Sequence, residues 1–401
     1  MNGFLFALLL TAASPTFEAE TLDGRNIAGA IVEMTPERLT LAGMDRTTVA
    51  VEKLLTVSPK QKPMPAAGEI DVVIELSDGG VIRAKQYTSH ERQAKITLSD
   101  GTVVEAPTAM IETVRCGGDV AASREVDPFR DEWTRLTGEK NDSDLLVIRG
   151  KNNVDYQKGV LRDVSEKAVS FDLDGEVLSV KRPKIYGFVY HHGASAELPT
   201  AVCKITDAAG SFWPAKSVSL VDGKLQWTTP AGIVALQRLE NIAKIDFSSG
   251  KVVYLTDWKP DAIAWTSYFG VGEPSAALKQ FHQPRFDVGF DSKPLRLGGV
   301  AYRKGLAVRA RSEIAYRLPE HFSRFQATVG IDDAVRPAGK VRFTVHGDDK
   351  TLLEADITGS DAPRPIDLNL ANSRRLTIVV DFSGGLVSGD HLLLGNARVL
   401  K

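Results

Sequence analysis

QATVGIDDAVRPAGKVRFTVHGDDK, residues 326 to 350, holds two runs in which apolar and polar residues alternate, each closed by an acidic pair. Ala327, Val329 and Ile331 fall on one side of the first run, and Val341, Phe343 and Val345 on one side of the second. A period of two is that of a half-buried strand, because successive side chains point to opposite faces. Asp332-Asp333 and His346-Gly347-Asp348-Asp349 then sit at strand ends, where Asp forms turns by hydrogen-bonding its own backbone. The sharper alternative makes Asp332 and Asp333 ligands of a structural calcium ion, which takes six to eight oxygens and would gather the rest from separate loops.

The alternation continues on both sides of this stretch. From about Trp265 onward, roughly eight such runs in about 135 residues predict a two-sheet jelly-roll sandwich. Before it, the chain repeats itself loosely four times, from FEAETLDGRNIAGAIVEMTPERLTLAG to the fourth unit, AVCKITDAAGSFWPAKSVSLVDGKLQWTTPAGIVALQRLENIAKIDF. Asp-Gly pairs (Asp23-Gly24, Asp78-Gly79, Asp100-Gly101, Asp174-Gly175) mark tight hairpins. Each unit ends with two apolar residues three apart: Leu54 and Val57, Ile111 and Val114, Ile185 and Phe188, Ile242 and Ile245. Five short strands per unit fit small half-open barrels, since curling hides the sheet edges, and the units resemble SH3-like or Sm-like barrels.

The expected fold is therefore all-β, with tandem small barrels followed by a jelly-roll sandwich. The expected segments are a signal peptide at 1–19, barrels at 20–62, 68–118, 144–194 and 198–262, a helical linker at 119–143, and the sandwich at 266–401. In the linker, Phe129, Trp133 and Leu136 lie at helical spacing between Pro128 and Gly138, so an amphipathic helix is expected to pack on a barrel.

The last third resembles a known family, the NPCBM module, a carbohydrate-binding module first noticed beside certain glycoside hydrolases. The resemblance rests on LRLGGVAYRKGLAVRARSEIAYRL, FQATVGIDD, GKVRFTVHGDDKTLLEA and the closing GDHLLLGNARV. It implies a galactose-binding-like sandwich and non-catalytic attachment to sugars, sometimes with structural calcium. The chain departs from the family pattern at Arg309, where a His is common, and after Asp390-His391, where Leu392, Leu393 and Leu394 stand in place of a small residue, an acid and a Trp. Arg309, Asp332, Asp348, Asp390 and His391 are the candidate ligand-binding residues, and Asp332 and Asp333 the candidate metal ligands. Tyr302 and Tyr316 lie in strand patterns and are expected in core or edge positions, not as a sugar platform.

Composition narrows the function classes. The chain has 401 residues, 43% hydrophobic and 25% charged, with a formal charge of −2, which offers no reason to expect nucleic acid. From residue 266 onward, 19 Lys and Arg face 15 Asp and Glu, too small a surplus for a phosphate-tracking surface. A basic group around Arg303, Lys304, Arg309 and Arg311 could meet an acidic glycan; a solvated strand face is the plainer reading. MNGFLFALLLTAASPTFEA reads as an export signal, its apolar run well short of the ~20 residues a spanning helix needs. Cys116 and Cys203 are the only cysteines and are expected to be two buried thiols, with pairing left open.

No Gly-x-Ser-x-Gly elbow and no isolated pair of opposed carboxylates occurs, so an enzyme is not expected. His191-His192 are adjacent in an extended run and point apart, which argues against one metal. The sequence thus predicts an exported protein of the bacterial periplasm, cell surface or exterior, whose partner is a polysaccharide, with envelope proteins as further partners. Two alternatives stand: a protein-binding scaffold that has lost the sugar site, and, remotely, a glycoside hydrolase or its accessory.

Overall fold

Four five-stranded meanders occupy the first part of the chain. The first consists of β1 (Thr16–Thr21), β2 (Asn26–Met34), β3 (Arg38–Ala42), β4 (Arg46–Ala50) and β5 (Leu54–Pro59); the second of β6 (Val72–Leu76), β7 (Val81–His90), β8 (Gln93–Leu98), β9 (Val103–Pro107) and β10 (Ile111–Cys116). The third holds β11 (Asp144–Arg149), β12 (Val154–Val164), β13 (Ala168–Leu173), β14 (Glu176–Lys181) and β15 (Ile185–Val189). The fourth holds β16 (Cys203–Asp207), β17 (Phe212–Ala215), β18 (Ser217–Val221), β19 (Lys224–Thr228), β20 (Val234–Arg238) and β21 (Ile242–Asp246), its second strand being broken in two. The computed structural model describes residues 15–64, 70–117, 127–139, 141–193, 197–267, 275–384 and 389–401. It divides into two units, Met1–Ser249 and Gly250–Lys401.

In every meander the first strand pairs with both the second and the fifth, and a 3-10 turn precedes the fifth. The apolar pairs three apart open these fifth strands, and all eight residues are buried. A bulge explains the odd spacing. The register skips one residue near the start of each fifth strand (Leu55, Glu112, Tyr186 and Ala243), so positions i and i+3 face the same side. Asp174 and Gly175 have φ of 53° and 91°, the left-handed pair a two-residue hairpin needs.

The repeats are not beads on a string. β5 pairs with β21 through Val57 and Ile245, and β10 pairs with β15 through Val114 and Phe188. The first repeat thus joins the fourth and the second joins the third, each time through the second apolar residue of the repeated pair. Phe212 beside Val81 ties the fourth to the second, and one apolar core runs through all four. The expectation of separate spacers gives way to one jointly packed body.

Two predicted boundaries shift. The signal boundary at 19 would cut β1, where Phe17 and Ala19 are buried beneath neighbouring strands; residues 1–14 lie outside the described ones. Helix α1 (Arg130–Gly138) packs Trp133 and Leu136 against Leu145, Val147, Val154 and Tyr186 of the third repeat, as its spacing predicts. Gly187 makes room, since a Cβ there would lie 2.6 Å from the Trp133 ring. Cys116 and Cys203 are buried free thiols.

The second unit is a sandwich of two antiparallel sheets. Its elements are β22 (Val252–Tyr254), β23 (Ala262–Trp265), α2 (Ala276–His282), β24 (Arg285–Phe286), β25 (Leu295–Leu297), β26 (Val300–Tyr302), β27 (Gly305–Arg309), β28 (Ser312–Arg317), β29 (Arg324–Ile331), β30 (Lys340–Gly347), β31 (Lys350–Thr358), β32 (Arg364–Asn369), β33 (Arg375–Phe382) and β34 (His391–Leu400). One sheet runs β24-β27-β34-β29-β32 and the other β23-β28-β33-β30-β31. Phe325, Phe343, Tyr316, Ile378 and Leu394 fill the space between them.

The unit starts earlier than the expected residue 266. β22 pairs with the end of β34, β23 pairs with β28, and Leu255 is fully buried in the sandwich core. The predicted fourth barrel therefore ends near 249, not 262. Among the described residues, no helix is long and apolar enough to cross a membrane.

Candidate functional site

One end of the sandwich brings together four of the five residues singled out in the sequence. Arg309 closes β27 and sits opposite His391, the first residue of β34. Asp390 precedes it, and its Oδ2 accepts the Ala310 amide at 3.1 Å. The amide of Asp332, just past β29, donates to the His391 carbonyl at 3.0 Å. Asp348 lies elsewhere: its carboxylate accepts the amides of Arg374 and Arg375, at the opposite end of β33 from the chain that leads to Asp390. It is a turn residue, which corrects its place among the ligand-binding candidates.

The acids are anchored to backbone. Asp333 accepts the amides of Gly298 and Gly299 at 2.8 and 2.7 Å, fixing the turn between β25 and β26. Asp332 accepts the Ala334 amide at 3.0 Å, and burial, then the charges of Asp291 and Asp333, raise its pKa. Among the described residues no group of three or more His, Cys, Asp or Glu is placed to hold a metal. Both Asp333 oxygens and Asp332 Oδ1 hold backbone amides, and the described residues do not bring together around this pair the six to eight oxygens that calcium takes.

Around Arg309 the fold assembles a ledge of rings that the sequence reading missed. The Arg309 guanidinium lies 4.1 Å from the Phe281 ring centroid and 4.4 Å from that of Phe290. Phe290 also meets His391 at 4.7 Å. Trp265, at the end of β23, stacks on His282 at 4.1 Å with 12° between the planes. Phe281 and His282 are delivered by α2, whose Ser275 caps the Leu278 amide, and Phe281 remains 55% exposed. The Ser cap and Pro284 were the sequence signals for this short helix.

Four polar atoms of the ledge are buried and have no hydrogen-bond partner among the described residues: Trp265 Nε1, His282 Nδ1, Arg309 Nε and His391 Nδ1. Leaving such groups unsatisfied costs about 1–3 kcal/mol each, so their grouping singles this end of the sandwich out as the candidate site. Burial, then the Arg309 charge, holds both imidazoles below their ordinary pKa, against the pull of Asp390. Burial likewise lowers that of Arg309.

The remaining candidates have structural places. Leu392 and Leu394 face the sandwich core, and Leu393 faces a second small core with Leu295, Leu297 and Ala307, so β34 is buried on both sides there. Tyr316 is core. The Tyr302 ring lies over Gly395, 2.5 Å from where a Cβ would stand. Of the basic group, Lys304 pairs with Asp257 and Asp287, and Arg311 donates to the carbonyls of Thr266 and Ser267. His191 and His192 do not share a metal: His192 Nε2 bonds the Ile111 carbonyl at 2.6 Å, and the His191 amide bonds Asp144. Both line open clefts of about 530 and 440 Å³ at the seam of repeats two and three.

Residues 266–400 match the NPCBM/NEW2 domain family. This part of the chain is an NPCBM/NEW2 domain. The match begins one residue after Trp265, so the stacked indole comes from the structural extension of the NPCBM/NEW2 domain. A protein of Renibacterium salmoninarum named "Putative endo-alpha-N-acetylgalactosaminidase" is 37% identical over 95 residues, which are 23% of this chain and 6% of that protein. This chain therefore spans only a small fraction of that relative's length. Among solved structures, a CBM51 of a Clostridium perfringens GH95 protein, in complex with methyl-galactose, is 22% identical, covering 37% of this chain and 99% of the other with a TM-score of 0.32. The tandem CBM51 modules of a family 98 glycoside hydrolase from Streptococcus pneumoniae are 14% identical, covering 82% and 99% with a TM-score of 0.32.

Proposed function

We propose that the NPCBM/NEW2 domain holds a saccharide on the ledge formed by Trp265, Phe281, His282, Phe290, Arg309 and His391. The observation that carries this reading is the set of four buried nitrogens without a partner among the described residues, grouped around exposed and half-buried rings. A sugar presents what such a surface lacks: an apolar C–H face for the rings and hydroxyls for the polar atoms. Asp390 adds a fixed acceptor. The attachment is non-catalytic in this proposal, because Asp332, Asp333 and Asp390 each hold main-chain amides and are anchors, not groups poised for proton transfer. Export to the periplasm or cell surface belongs to the same proposal, with the four repeats, read as SH3-like barrels, forming a rigid docking body.

Titrating the full chain with a panel of oligosaccharides by calorimetry tests it. Binding weakened by Phe281→Ala at unchanged thermal midpoint supports the ledge, whereas no saccharide bound across the panel removes it. A second reading, protein binding by the repeats, is favoured by the exposed Val160 and Val177, which flank Asp172 across three strands of the third repeat. A pull-down partner retained by a chain truncated after Ser249 would support that reading.

A further inference from the structure

We infer that the saccharide taken by the ledge carries a carboxylate, an inference that rests on the glycan-binding reading above. Arg309 is half-buried, yet among the described residues its guanidinium has no hydrogen bond and no ion pair, and its Nε is sealed from solvent without an acceptor. The half-buried Arg324 and Arg115 pair with Asp367 and Asp127. Arg182 is also half-buried and without an ion pair among the described residues, and what sets Arg309 apart is the two phenylalanine rings against its guanidinium. A half-buried cation is normally paired, since its lost hydration must be replaced.

The surroundings make the site more cationic still. Arg285 is exposed and its charge acts on Arg309. Among the described residues, Arg311 bonds the neutral carbonyls of Thr266 and Ser267 and has no ion pair. Against these three guanidiniums stands Asp390, whose Oδ2 is taken by the Ala310 amide. Of the four buried ledge nitrogens without a partner among the described residues, those of Trp265 and Arg309 can only donate, while the two imidazole Nδ1 atoms can donate or accept. Neutral hydroxyls would satisfy them singly but would leave Arg309 with the charge of Asp390 nearby and no directly bonded anion.

Geometry selects a planar anion. Phe281 and Phe290 hold the guanidinium between them, so its edge is the part open to bonding. The Nε–Nη edge of arginine forms two parallel bonds to one carboxylate. A sugar acid supplies the ring that covers Phe281 and the carboxylate that meets Arg309 in one ligand. Reaching the sealed Nε requires a small displacement of the side chains around it.

The test is calorimetric titration of the full chain with oligogalacturonate, oligoalginate, a hyaluronan oligosaccharide and sialyllactose, each beside its carboxyl-reduced counterpart. At least one acid form should bind roughly ten- to a hundredfold more tightly than its reduced form, and added salt should narrow the gap. Arg309→Gln should abolish the preference, while Arg309→Lys, which keeps the charge and loses the fork, should restore part of it. A reduced form bound as tightly as its acid overturns the carboxylate inference and leaves saccharide binding standing. Binding of no member of either series removes the saccharide reading and this inference with it. If Arg309→Gln lowers the thermal midpoint, the acid-against-reduced comparison on the unaltered chain still decides.

Discussion

Trp265 and His282 stack face to face, 4.1 Å apart and 12° from parallel, although one ends a strand and the other a helix. The contact fastens α2 to the sandwich and places Phe281 beside Arg309. Trp265→Ala should therefore weaken saccharide binding by about three- to tenfold, the range of an aromatic contact of 0.5–1.5 kcal/mol. It should also lower the thermal midpoint, whereas Phe281→Ala, at an exposed position, should shift stability by no more than about 0.5 kcal/mol. Parallel calorimetry and thermal melts of the two variants separate the effects.

The imidazoles give the second unit a sensitivity to acid. His391 is faced by Phe290, Arg309 and Asp390, and His282 by Trp265, Phe281, Arg309 and Asp390; burial and Arg309 depress both pKa values below 6.5. A base with a depressed pKa takes up its proton more readily when unfolded. The stability tied to these groups is thus complete above pH 6.5 and drains as the pH falls below it. Urea midpoints at pH 7.5 and 5.5 should differ in that direction, and a double His282→Gln, His391→Gln variant should show a smaller difference.

The early start of the sandwich has a direct test. A fragment of residues 250–401 should melt cooperatively, and one starting at 266 should not, because it lacks β22, β23 and Leu255. In the full chain, Leu255→Ala should cost about 2–5 kcal/mol, the usual range for emptying a core leucine site. Equal melting of the two fragments would refute the boundary.

Gly187 predicts a defect in the other unit. A Cβ there would stand 2.6 Å from the Trp133 ring and 2.7 Å from the Val114 carbonyl. Gly187→Ala should destabilise that unit by about 1–3 kcal/mol, and Trp133 fluorescence should report a more solvated ring.

Asp333 offers a test of calcium. Asp333→Ala should lower the midpoint of the second unit by about 1 kcal/mol through loss of two amide bonds. Calcium or EDTA should leave the midpoints of both the variant and the parent chain unchanged, and a calcium-dependent rise in the parent alone would restore the metal reading.

Local pattern carried the architecture well. Alternation located the strands around Val329 and Phe343, and the pairs three apart located each fifth strand, because a bulge leaves a periodic trace even when its cause is hidden. The partnership of repeats was not readable, since Val57 and Ile245 meet through strand edges whose backbone groups carry no residue-type signature. The ledge was half readable. Arg309, Asp390 and His391 lie in matched blocks, but Trp265 and Phe281 reach the site from a strand and a helix outside the alternating pattern. Asp348 misled because a turn-forming aspartate and a ligand aspartate look alike until their amide partners are seen.

The pairing of β5 with β21 sets an order of events for the nascent chain. The first repeat emerges early, yet the strand that completes its edge comes only after two further repeats, and at about 5–20 residues per second that wait lasts on the order of ten seconds. Throughout it an uncovered β edge is open to wrong partners, so deleting the fourth repeat should lower soluble yield, and chaperone depletion should do the same for the full chain.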